Sequence, residues 1–405
     1  MANDKQNTSP NVPNLRFPEF SGGWKKETLN NIANISKGAG ISKEHLSDSG
    51  APCILYGELY TKYKSEVITD VYSKTNFNGT NLVISKSNDV IIPCSGETAI
   101  EIATARCVLA SDILLGGDLN IIRLNGHDGR FFAYQLNGKR KIDIAKAAQG
   151  VSVVHLYGEH LKKIKVAYPS IEEQTKIAEL LSLIDKRIST QNKIIEDLKK
   201  LKSAISNRLF GSRDLLDTQV SIFAIGTLKN GYAFQSNTYD ATGAYKIITI
   251  ANVSGERYIN ADNCNCVQAI SNDIQAHQIL KANDILISLT GNVGRVSLCT
   301  EGNYLLNQRV GLLQLKQGVN REYIYQALSH KKFEQSMVAC GQGAAQMNIG
   351  KNDVEDYIIP YSYNPHNIET IASTLKAYDS LICVELDNLK LFQRQKCYLL
   401  AQMFI

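Results

Sequence analysis

The chain has no long apolar run. Nothing approaches the roughly 20 consecutive hydrophobic residues that would span a bilayer, and the start, Met1-Ala2-Asn3-Asp4-Lys5, has no basic-then-apolar targeting pattern. The cytoplasm is the expected address, with no membrane partner. Catalytic signatures are missing too. Gly350-Lys351 is followed by Asn352 and Gly138-Lys139 by Arg140, so neither forms a phosphate-cradling Gly-x-x-x-x-Gly-Lys-Ser/Thr loop. The eight prolines include no Asn-Pro-Pro-aromatic run, the base-binding motif of amino-methyltransferases, and no Pro-Asp opening of a nuclease-type carboxylate cluster. His45, His127, His155, His160, His277, His330 and His366 fall at no metal-ligand spacing. Nine cysteines is an odd number, and the only close pair, Cys264 and Cys266, has no second pair to complete a zinc site. The expectation is a chain with no catalytic residues and no metal or cofactor of its own.

What is present is a duplication. A segment ending at Phe210 recurs about 194 positions later and ends at Phe404. Arg130-Phe131-Phe132-Ala133-Tyr134-Gln135 answers Arg321-Glu322-Tyr323-Ile324-Tyr325-Gln326, and Ala148-Gln149-Gly150 answers Gly341-Gln342-Gly343. Pro169 and Pro360 each precede a long helical pattern. A period this long is a whole domain plus a helix, far beyond the 20 to 50 residues or so of solenoid repeats.

Within each copy, short apolar runs bounded by Gly, Asn and Asp read as strands. Examples are Cys53–Tyr56, Asp89–Ile92 and Leu119–Leu124 in the first, and Tyr245–Ile248, Asp284–Ile287 and Gly311–Leu315 in the second. Phe131 to Gln149 reads as a helix. Ser170 opens the first long helix with a capping box to Glu173, and Asn364 followed by Pro365 opens the second. Ile177, Leu181, Ile184, Ile188, Ile195, Leu198, Ile205 and Leu209 recur at steps of four and three, broken at Gln191 and Lys202. Ile371, Leu375, Tyr378, Ile382, Leu389, Phe392, Leu399 and Met403 repeat that seam, broken at Glu385 and Lys396. A spacing of 3.5 marks a coiled-coil seam, so the helices either pair with each other or each lie on their own domain. The expected fold class is α+β: two similar mixed α/β domains, each followed by a long helix, the helices pairing as an antiparallel coiled coil. The expected divisions are a partly disordered strap over 1–20, a first domain over 21–169, a first helix over 170–213, a second domain over 214–361 and a second helix over 362–405.

A formal net charge of +5 is mild, but Lys and Arg cluster in loops, as at Lys139-Arg140-Lys141 and Lys162-Lys163-Lys165. Such clusters suit phosphate contact, or are simply solvated. Arg reads guanine and Asn or Gln reads adenine by paired hydrogen bonds. The second-copy candidates are Thr290, Gly291, Asn292 and Arg295 in a Gly-rich loop, which could equally be a tight hairpin turn, with Gln308 and Arg309 after Asn307. In the first copy, Lys37, Lys43, Tyr56, Glu58, Tyr60, Lys62 and Asn120 are their counterparts, the tyrosines being as ordinary in a core as at a nucleic acid.

The sequence resembles the specificity subunits of type I restriction-modification systems over nearly its whole length, Arg16 to Phe404. The resemblance rests on Asn14–Phe20, Ser152–Leu156, the helix opening Pro169–Ala178, Ile184–Ile188 and the Thr290–Gly294 loop with Asn307-Gln308. It departs where His366-Asn367-Ile368 replaces the Glu-Glu-Gln of the first helix and where Ser95–Ala99 lacks the second glycine and the arginine. The resemblance implies a non-catalytic DNA-binding subunit whose two target recognition domains each read one half of a bipartite double-stranded site. It implies that the helices set the spacing and dock two methyltransferase subunits holding S-adenosylmethionine, with two motor-nuclease subunits using ATP and Mg. A DNA-modifying enzyme of unfamiliar type, or a coiled-coil scaffold, are the competing readings.

Overall fold

The structure, a computed structural model, describes residues 11–150, 153–341 and 347–405. Residues 1–10 of the strap, Ser152, and Gln342-Gly343 of the repeated glycine motif lie outside the described residues. The chain divides into two compact units, one formed by 1–192 with 387–405 and the other by 193–386. Each unit therefore holds one mixed domain, the near end of one long helix and the far end of the other.

In the first unit, Leu119–Leu124 lies between Ala33–Lys37 and Asp89–Pro93 in an antiparallel core sheet that Arg106–Val108 extends. A second sheet is centred on Ala51–Ile54, which pairs parallel to Leu114-Leu115 and antiparallel to Ser73–Thr75. The second unit repeats both. Val310–Leu315 lies between Gly226–Asn230 and Ile285–Ser288, with Val296–Leu298 beyond. Tyr245–Ile248 pairs parallel to Tyr304–Leu306 and antiparallel to Cys266-Val267. The duplication read from sequence is thus a duplication of strand pairing. Burial on both faces explains the unbroken apolar runs: Asp89–Pro93 and Ile285–Ser288 are wholly buried.

The helix expected over Phe131–Gln149 is two helices, Gly129–Asn137 and Lys141–Ala147. Gly138 ends the first, its N–H bonded to the Tyr134 carbonyl, where a glycine removes the cost of leaving helical geometry. The long helices run Ile171–Phe210 and Pro365–Gln402. Asn364 caps the second, its Oδ1 accepting from the His366 N–H at 3.0 Å. At the first, the Glu173 carboxylate does not fold back on the cap as the box pattern suggested. It accepts Arg16 Nε at 2.8 Å and Nη2 at 2.7 Å, and Trp24 Nε1 at 3.3 Å. A paired, charge-assisted bond to guanidinium outcompetes a single backbone N–H.

The seams are buried or half-buried throughout. Inside the first unit the helix ends run antiparallel: Arg187 stacks 4.4 Å over Phe392 and Lys396 bonds Asp185. Leu399, Met403 and Phe404 join Ile177, Leu181, Trp24 and Phe131 in one core. Inside the second unit Lys202 bonds Asp379, and Ile205, Leu209 and Phe210 pack with Ile368, Ile371 and Leu375. Both alternatives therefore hold at once, each helix packing on its own domain and against its partner helix.

Candidate nucleic-acid interface

In the first unit the chain leaves Ala51–Ile54 through Leu55-Tyr56-Gly57 into the short helix Glu58–Thr61. That turn and the Gly116–Asp118 turn line a cavity of about 620 Å³. Gly116 is closely packed, since an added Cβ would meet a Leu55 methyl at 2.6 Å and the Ile41 carbonyl oxygen at 3.0 Å. Ile41, Leu46 and Leu55 make the apolar lining, with Lys43, Tyr56, Tyr60, Lys62 and Asp118 around them. Lys43, Tyr56 and Lys62 are exposed and Tyr60 is half-buried. Burial raises the Tyr60 phenol above its usual range, with Tyr56 adding to the shift, so it remains an O–H donor at neutral pH. Five of the seven first-copy candidates thus meet at one concave site. Lys37 is exposed on the strand Ala33–Lys37 and does not line it.

Two assignments need correction. Asn120 is fully buried, its Nδ2 donating to the Leu156 carbonyl at 2.9 Å, so it ties the core sheet down and presents nothing outward. Glu58 is also buried: it accepts the Leu55 N–H at 2.9 Å, Lys62 Nζ at 2.7 Å and the Ser73 hydroxyl. It clasps the turn and holds Lys62, which also donates to Ser73 at 2.7 Å and keeps a third N–H for a ligand. Spacing alone could not separate these two, since exposed Asp118 and Tyr56 each lie two residues away on the same short segments.

In the second unit the loop after Ile285–Ser288 is a hairpin connection to Val296–Leu298, so the turn alternative is correct as far as the backbone goes. Ser288 Oγ binds the Arg295 N–H at 3.0 Å and the Asn292 carbonyl at 2.5 Å. Gly291 and Gly294 take positive φ, and a Cβ at Gly294 would meet Met337 at 2.7 Å. Thr290 and Gly291 bond Asn348 and the Met347 carbonyl. Asn292 is exposed in the turn, whereas Arg295 is half-buried and lies 3.6 Å from Glu334. The Leu289 N–H donates to the Arg309 carbonyl at 3.0 Å, which brings the exposed pair Gln308 and Arg309 beside this loop.

The same bond exists in the first unit, where the Cys94 N–H donates to the Asp118 carbonyl at 2.7 Å. One scaffold position therefore carries exposed Asp118 in one unit and exposed Arg309 in the other. A carboxylate only accepts hydrogen bonds and a guanidinium only donates them, so the two turns present opposite hydrogen-bonding character. The duplicated scaffold thus carries two unlike loop sets. Among the described residues no helix is long and apolar enough to cross a membrane, and no group of His, Cys, Asp and Glu is placed to hold a metal ion.

Comparison with known proteins identifies the class. Residues 21–200 and 219–391 match the family described as the type I restriction modification DNA specificity domain, and the chain belongs to that family. It is similar to the type I restriction enzyme MjaVIII specificity subunit of Methanocaldococcus jannaschii, 24% identical, with 93% of this chain and 90% of that protein covered. A putative MjaX specificity subunit of the same organism is 25% identical over 67% of this chain and 66% of that protein. Among solved structures, the S subunit of a type I restriction-modification system from M. genitalium shares the fold at a TM-score of 0.65 and 16% identity, covering 97% of this chain and 99% of that one.

Proposed function

We propose that the protein is the sequence-reading subunit of a type I restriction-modification complex, with target recognition domains over 21–169 and 214–361 that each read half of a split double-stranded DNA site. The observation that carries this reading is the unlike pair Asp118 and Arg309 on one repeated scaffold in a chain of this family. In the first domain Lys43, Tyr56, Tyr60 and Lys62 meet the DNA from the cavity rim, with Lys37 on a neighbouring phosphate. In the second, Asn292, Gln308 and Arg309 reach base edges while Thr290 and Gly291 carry the loop. Arg295, held near Glu334, is a phosphate anchor unless DNA draws it away. Such backbone contacts position the protein and a few base contacts specify sequence.

The long helices space the half-sites and dock two methyltransferase subunits, which carry S-adenosylmethionine; two motor-nuclease subunits supply ATP- and Mg-dependent restriction. Support for docking comes from apolar residues left exposed on the helices. These are Ile171, Leu183, Leu391 and Tyr398 in the first unit and Ile194, Leu201, Leu381 and Val384 in the second. With the seams at heptad positions a and d, all but Ile171, at e in the first turn, fall at c and g, one side of an antiparallel helix pair. Asp185 and Asp379, which bond the recognition domains, fall at e on the other side. Stripes of this kind on otherwise polar helices mark protein contacts.

The test is selection from randomised DNA by the complex assembled with its methyltransferase subunits. A recovered pair of short motifs at fixed separation, with affinity falling steeply in salt as phosphate contacts require, is the expected result. Recovery of no motif would count against recognition and favour a scaffold role.

A further inference from the structure

The two seam breaks Lys202 and Lys396 are repeat-equivalent, and so are Asp185 and Asp379, each pair about 194 positions apart. The structure joins them crosswise. In the first unit, Lys396 of the second helix lies 2.5 Å from Asp185 of the first helix and 2.5 Å from Glu66 of the recognition domain. The other Asp185 oxygen accepts the Tyr134 hydroxyl at 2.8 Å and Ser65 Oγ at 2.9 Å, both from the recognition domain. In the second unit, Lys202 of the first helix lies 2.7 Å from one oxygen of Asp379 on the second helix. The other oxygen accepts Arg257 Nη1 at 2.9 Å and Gln326 Nε2 at 2.7 Å, and Glu322 closes the network on Arg257 at 2.6 Å. Side chains of Asp185, Asp379 and Arg257 are under a tenth exposed.

Each node thus has three arms: an aspartate from one helix, a lysine from the other, and polar groups from the domain seated there. An apolar seam alone tolerates a slip of one heptad, because the next rung presents the same surface; a buried polar group at a single core position does not. A slip of seven residues would carry the lysine about 10 Å along the axis, at 1.5 Å per residue, out of reach of its carboxylate. A buried charge left without its partner is strongly unfavourable.

We infer that the Lys396–Asp185–Glu66 and Lys202–Asp379–Arg257 nodes are positioning devices that seat each recognition domain on the helix pair in one register, and so set the gap the complex accepts between half-sites. This inference rests on the proposed reading of the chain as a subunit that recognises a split site. The nodes touch no DNA. Their contribution is read as tolerance of wrong spacings, separate from stability.

The experiment uses the full chain assembled with its methyltransferase subunits and a set of DNAs carrying both half-sites at the preferred gap and at one base pair more or less. Tyr134→Phe and Gln326→Leu each remove one hydrogen bond of the recognition-domain arm and leave the aspartate–lysine pair intact. The pairs Asp185→Asn with Lys396→Met and Asp379→Asn with Lys202→Met remove the aspartate–lysine arm. Variants of either unit are expected to raise methylation at the wrong gaps at least threefold relative to the preferred gap, with half-site sequence preference unchanged. The mild variants keep the outcome readable if a neutralised node does not fold. A wild-type gap preference retained by Tyr134→Phe and Gln326→Leu would overturn the inference alone. A wild-type complex with no gap preference would overturn it together with the spacing reading beneath it.

Discussion

Arg16 and Glu173 tie the lead-in segment to the start of the first long helix, and their bond should be among the costliest to break in the first unit. The Glu173 side chain is 2% exposed and Arg16 15%, and the two meet in a double hydrogen bond at 2.8 and 2.7 Å. Replacing Arg16 by Ala leaves a carboxylate in the core with only the 3.3 Å Trp24 N–H for company. Removal of one partner from a buried pair costs about 3–5 kcal/mol. At roughly 2–4 °C per kcal/mol for a domain of 150–250 residues, the transition should fall by about 6–20 °C. Replacing both residues by Met should cost far less, since no charge is stranded. The assay is built into the chain: Trp24 is the only tryptophan, is 2% exposed and touches the same carboxylate, so its fluorescence follows the first unit alone. A loss under about 1 kcal/mol for Arg16→Ala, or an equal loss for the double Met variant, would refute the argument from charge burial.

Further outcomes follow from the same structure. Removing Ile188–Ile194 together with Leu386–Phe392 takes one heptad from each long helix while keeping the seam phase; at 1.5 Å per residue the spacer shortens by about 10 Å, close to three base pairs. Selection on gapped DNA should then prefer a shorter gap, and an unchanged preference would sink the spacing role. Arg309→Ala should relax one base in one half-site, by about 1–3 kcal/mol for a paired contact to guanine, whereas Arg295→Ala should weaken all sequences alike; competition binding with mutated half-sites separates the two. Burial pushes His127 and His330 below the ordinary histidine range. Their neutral forms are favoured in the fold, so the stability they contribute is present above pH of about 6.5 and is lost as pH falls below it. Urea midpoints followed by Trp24 should therefore drop on acidification, and His127→Asn should flatten that drop; an equal pH response in the variant would contradict the assignment.

Much of the architecture was legible because duplication is a signal that a single copy lacks. Leu119–Leu124 and Tyr245–Ile248 form strands with the expected ends, and both seams fall where the 3.5 spacing put them. The misses share a cause. Glu173 sits in a capping-box pattern, yet its carboxylate is taken by Arg16, some 157 residues away in sequence, and local pattern carries no information about such partners. Asn120 and Glu58 are the residue types that read bases, but the fold buries both, with the Asn120 Nδ2 on a backbone carbonyl and the Glu58 carboxylate on a turn. Lys202 and Lys396 read as interruptions of the seams. Their recurrence in both copies, along with Asp185 and Asp379, was the available signal that these interruptions are partners.

The central claim, that the chain reads two unlike half-sites at a fixed separation, is tested most directly by co-expressing it with its methyltransferase subunit in a methylation-free host and mapping modified bases across the genome by single-molecule sequencing. The account predicts methylation within one split motif, its two halves different in sequence and separated by a constant gap. An assembled complex that leaves the genome unmodified, or modifies it at a continuous or variably spaced sequence, would contradict it.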